Sequence, residues 1–173
     1  MVWFWYFFVY SFFGFLLEVA FARCTGGHPS RKCLLVLPLC PVYGLGACAI
    51  ILAGEVTHSA PALFLLGAVL STAVEYAMAV FYDTVLGVSF WDYHHLPLHI
   101  QGRVCLFFSL AWGLLTLPLV WWIHPVIAPL PAALPNTLSL CVLFTFLCDL
   151  LVSSVLLKHT GDRDSLNWYQ QQA

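Results

Sequence analysis

Charge is what this chain has least of. Only 8% of its 173 residues are Asp, Glu, Lys or Arg, against 62% hydrophobic. A soluble domain carries about 25% charged residues. The shortage therefore excludes a water-facing globular surface and leaves bilayer lipid as the surroundings. The net charge of −2, with no basic tract, excludes nucleic acid as a partner. The seven cysteines are odd in number and hold no C-x-x-C pair, so no disulfide framework is expected. Cys40, Cys48, Cys105, Cys141 and Cys148 fall in or at the ends of apolar runs, where cysteine acts as a small hydrophobe. Cys24 and Cys33 fall in a polar loop read as cytoplasmic and reducing. Phosphate-binding glycine loops, nucleophile elbows and H-E-x-x-H are also missing, so no cofactor is implied and an enzyme is the weaker reading.

What is present is a set of apolar runs at about 2–22, 34–53, 61–82, 104–123 and 137–157. They predict an all-α, polytopic membrane helical bundle of about five transmembrane helices, one domain over 1–157 with a short tail over 158–173. Ala20-Phe21-Ala22 resembles a cleavage site, but Glu18 interrupts the apolar run and no positive charge precedes it, so the first run reads as a retained helix. The second run contains Pro38, Pro41, Gly44 and Gly46. It reads as broken, re-entrant or buried among other helices, with a plain proline kink as the alternative. In the third, Gly67, Ser71, Glu75 and Ala79 recur every four residues and share one face, which predicts close helix packing around Glu75. In the fifth, Cys141, Thr145, Asp149 and Ser153 repeat in the same way. A proline-rich turn with Pro125, Pro129, Pro131 and Pro135 is expected between the fourth and fifth.

Arg23, Arg31, Lys32, Arg103, Lys158 and Arg163 all fall in segments on one side of such a bundle. By the positive-inside rule that side is the cytoplasm, with the N-terminus outside and the C-terminus cytoplasmic. Glu18, Glu75 and Asp149 then lie in the inner half of the membrane, and Arg103 at the boundary beside Trp91, Asp92 and Tyr93. A carboxylate in hydrocarbon costs roughly 2.5–3.5 kcal/mol, so such groups are expected to face inward and be paired or functional. Arg103 either holds an anionic group in a pocket opening to the cytoplasm or pairs with Glu18, Glu75 or Asp92. Trp91 and Tyr93 read as interfacial anchors. His94, His95 and His99 invite a metal reading, but Pro97 interrupts their spacing, and no metal site is assigned.

The segments Tyr10-Ser11-Phe12-Phe13-Gly14-Phe15-Leu16-Leu17-Glu18, Pro38-Leu39-Cys40-Pro41-Val42-Tyr43-Gly44-Leu45-Gly46, Glu75-Tyr76, Trp91-Asp92-Tyr93 and 102–113 resemble a bacterial membrane family labelled "putative ABC-transporter permease, type IV". The likeness covers about residues 4–128. Phe15 stands where the family commonly has tryptophan, and His94 and His95 replace its usual polar residues. The resemblance implies a multi-pass protein of the bacterial cell membrane and a component of a transport system. Its partners would be the lipid bilayer, a separate ATPase subunit and further copies of the chain. Glu18, Tyr43, Glu75, Trp91, Asp92, Tyr93, Arg103 and Asp149 are the candidate substrate or polar-cluster residues. Two alternatives remain: a membrane enzyme or binding protein for a lipid or polyprenyl phosphate, and a structural or regulatory membrane subunit.

Overall fold

An apolar run in lipid must pair every backbone N–H and C=O internally, and the α-helix does so within one segment. The computed structural model, which describes residues 1–24 and 33–166, has helices α1 (Val2–Cys24), α2 (Pro41–Val56), α3 (Ala60–Phe81), α4 (Leu106–Pro118), α5 (His124–Ile127) and α6 (Asn136–Thr160). Four helical stretches are long and apolar enough to cross a membrane: Val2–Cys24, Ala60–Leu86, Leu106–Ala133 and Asn136–Thr160. With the shorter apolar α2 they form the expected polytopic bundle. His28, Arg31 and Lys32 of the first loop lie outside the described residues, as does 167–173 of the tail.

The second run becomes helical only at Pro41, not at Leu34. Pro41 occupies the first turn, where its missing N–H leaves no bond unmade. The 16 residues of α2 span about 24 Å, short of a hydrocarbon core of about 30 Å. Residues 33–40, which precede α2, are not helical.

The proline-rich turn is shorter than expected. After α4 the chain stays helical through a π turn (Leu119–Ile123), α5 and a 3-10 turn (Leu130–Ala133). Pro125 and Pro131 sit in the first positions of their short turns, where proline is tolerated. α3 likewise runs on through a π turn (Tyr82–Leu86) and stops at Gly87, whose φ of 70° ends it.

Close crossings hold the bundle. A side chain at Gly14 would strike Tyr43, and one at Gly67 would strike Thr116, so α1 meets α2 and α3 meets α4 nearly backbone to backbone. Gly67, Ser71, Glu75 and Ala79 are all buried, as their spacing predicts. The stripe predicted on α6 is only half right. Cys141 and Thr145 are exposed, while Ser139, Ser153 and Leu157 face inward.

Hydrogen bonds define the two ends. At one, Trp5 donates to Ser139 (2.8 Å), Tyr6 to the Ala128 carbonyl (3.1 Å), and Tyr10 meets His124 Nδ1 at 3.1 Å. At the other, Leu34, Leu35, Leu39, Tyr82, Phe90 and Leu157 form a buried cluster that also takes Leu166 from the tail. Arg163 donates there to the Phe90 carbonyl (3.2 Å). A two-stranded antiparallel hairpin of β1 (His99–Ile100) and β2 (Val104–Cys105) closes this end. Gln101 and Gly102, with φ of 54° and 69°, turn the chain in left-handed backbone, and the Arg103 N–H donates to the Ile100 carbonyl (3.0 Å).

Candidate functional site

Glu75 is 5% exposed and deep on the buried face of α3. Its Oε1 accepts from the Tyr93 hydroxyl at 2.9 Å and its Oε2 from the Trp112 indole N–H at 3.1 Å. Tyr93 reaches it from the loop because its backbone N–H donates to the Gly102 carbonyl (2.8 Å) and its ring stacks on Phe108 at 4.9 Å. Trp112 comes from α4 and packs against the Tyr43 ring at 5.1 Å. The Tyr43 hydroxyl donates to Glu18 Oε1 at 2.7 Å. One connected line therefore runs Glu18, Tyr43, Trp112, Glu75, Tyr93, drawing on α1, α2, α4, α3 and the loop.

Each carboxylate is held by neutral donors; the Tyr43 and Trp112 rings lie against each other, and the Tyr93 ring lies against Phe108. Such a set can carry a proton or present two anionic oxygens to a polar group while its walls stay apolar. Trp112 was not among the candidate residues. A tryptophan inside an apolar helix needs a partner for its N–H when buried, and that need was the available signal.

Arg103 belongs to a different group. Its Nε donates to Asp83 Oδ2 at 2.9 Å, its Nη1 to Gln101, and its guanidinium lies 5.8 Å from the Tyr76 ring centre. The expected partners Glu18, Glu75 and Asp92 are thus replaced by Asp83, which the π turn at the end of α3 carries to the hairpin. Trp91 turns inward and donates to the Arg103 carbonyl at 2.8 Å, with its ring edge-on to Tyr82. It and Tyr93 bind the loop to the bundle.

Asp92 faces away from the line. It accepts from the His94 backbone N–H at 2.9 Å and pairs with the His94 ring. The backbone N–H first, then the His94 side chain, hold its carboxyl below the ordinary range. His99 Nδ1 accepts from the Gly102 N–H at 3.0 Å. Among the described residues no three His, Cys, Asp or Glu side chains converge as a metal-ligand group.

Asp149 has a structural partner of another kind. Its Oδ2 accepts from the Leu37 N–H at 2.9 Å and its Oδ1 from the Val36 N–H at 3.1 Å, with Ser153 donating to Oδ1 at 3.1 Å. α6 thereby satisfies backbone groups that residues 33–40 cannot pair among themselves.

A family described as "Putative ABC-transporter type IV" matches residues 5–154 of the chain. No curated protein and no solved structure matches it.

Proposed function

The chain belongs to the putative ABC-transporter type IV family, and from that premise we propose that it is the membrane-spanning component of a transport system whose polar site is the line from Glu18 to Tyr93. One observation carries the reading. Two carboxylates from different helices are joined through two aromatic donors, Tyr43 and Trp112, with Tyr93 as a third donor on Glu75, inside a bundle where each acid costs roughly 2.5–3.5 kcal/mol to place. The site opens toward the cytoplasm in this reading. Its support is that Arg23, Arg103, Lys158 and Arg163, the described basic residues, gather at the same end as the line. Energy comes from a separate ATPase, because no phosphate-binding loop occurs in the sequence. A lipid phosphate fits less well, since Arg103 is already engaged by Asp83 and Gln101.

Affinity purification from native nanodiscs, with mass spectrometry of bound proteins, tests the proposal. An ATPase retained in fixed proportion is expected. Glu75→Gln should keep that partner and the fold while abolishing ATPase stimulation. Recovery without any ATPase, together with a Glu75→Gln chain that merely loses folded yield, would refute the transport reading in favour of a structural subunit.

A further inference from the structure

Sulfur gathers at one place in the molecule. Cys33 and Cys40 bracket the non-helical segment that leads into α2, and each is 2% exposed. Both belong to one buried cluster with Val42, and their thiols are in mutual contact. Met78 of α3 packs against that cluster, together with Tyr43 and Trp91. It is one of only two methionines in the chain. Cys24, Cys141 and Cys148 are exposed, and neither Cys48 nor Cys105 joins the cluster.

A single buried thiol is ordinarily a space-filling hydrophobe. Here two thiols from both ends of one short segment share a buried cluster, and the side chain of Met78 from α3 packs against it. Asp149 holds that segment in place by its amides. The donors are all soft, sheltered from water and uncharged until deprotonated. Hard oxygen-seeking cations would find no ligand set in them. Tetrahedral zinc would need more nitrogen, sulfur or carboxylate donors than converge among the described residues. Copper(I) and silver(I) favour soft donors and are satisfied by two thiolates in line.

We propose that Cys33 and Cys40 form a binding site for one soft monovalent metal ion of the copper(I) or silver(I) class, with the Met78 thioether as an auxiliary donor. On binding, two S–H bonds are replaced by two S–metal bonds, two protons leave, and the metal keeps its oxidation state. The site stands apart from the transport reading and holds whether or not an ATPase partner is found.

The test uses the full chain in nanodiscs with Cys24, Cys141 and Cys148 replaced by serine. It is loaded with silver(I), desalted against a dilute monothiol, and its retained metal counted by mass spectrometry. About one silver ion per chain is expected. Cys33→Ser and Cys40→Ser should each lose it, Met78→Leu should hold it several-fold less tightly, and Cys48→Ala should be unaffected. Size-exclusion profiles verify that each variant is folded. If a serine variant does not fold, protection of Cys33 and Cys40 from alkylation by silver in the folded parent replaces it. Folded parent protein that retains no silver and gains no protection overturns the proposal. So does a folded Cys40→Ser variant that keeps the full equivalent.

Discussion

Asp149→Ala should unfasten residues 33–40 without unfolding the bundle. The substitution removes the acceptors of the Leu37 N–H (2.9 Å) and the Val36 N–H (3.1 Å), while Val36 retains a longer contact to Ser153 Oγ at 3.3 Å. A hydrogen bond to a charged group contributes about 1.5–3 kcal/mol. Two of them at the lower end set the loss near 3 kcal/mol, which raises local opening by somewhat more than a hundredfold. Asp149→Asn keeps one acceptor oxygen and should fall between, at roughly tenfold. Cys40, buried in the folded state, reports the opening through its rate of alkylation by N-ethylmaleimide, resolved by peptide mass spectrometry. The exposed Cys148 serves as internal reference. Equal Cys40 rates in all three proteins would refute the pinning role of Asp149. An opening of the whole bundle would instead quicken the buried Cys105 in parallel.

Two further outcomes follow from the packing and the loop. Gly67→Leu drives a side chain into buried Thr116 and should cost about 1–3 kcal/mol or more. Gly46→Ala meets nothing within 4 Å and should be neutral or stabilising by up to about 1 kcal/mol; thermal unfolding in one detergent compares the two. Asp92 has a folded pKa below its ordinary 3.8, so its contribution to loop order is present above that value and is lost as pH falls through the lower, folded one. Carboxyl-detected NMR should find the Asp92 titration depressed, and His94→Ala should return it only part of the way toward 3.8, because the backbone N–H remains as the larger cause.

Much of the site was legible before the fold. The four-residue spacing of Gly67, Ser71, Glu75 and Ala79 placed Glu75 in a helix interface, and there it is buried. Tyr43 and Tyr93 were among the candidates, and each hydrogen-bonds a carboxylate. The partner of Arg103 was not legible. Asp83 lies 20 positions away in the chain, and only the extension of α3 by a π turn and the fold of the hairpin bring the two together. The start of α2 was ambiguous for a different reason: Pro41 suits a first helical turn as well as it marks a break.

Sequence alone determined that the chain is a helical membrane protein, and where its apolar runs and basic residues fall. Those follow from composition and run length, which depend on no contact. The tertiary structure decided which polar groups meet. Asp149 is the clearest case, since its partners are the amides of Val36 and Leu37. A backbone N–H is common to every residue but proline, so no side-chain pattern marks which amide a distant carboxylate will hold.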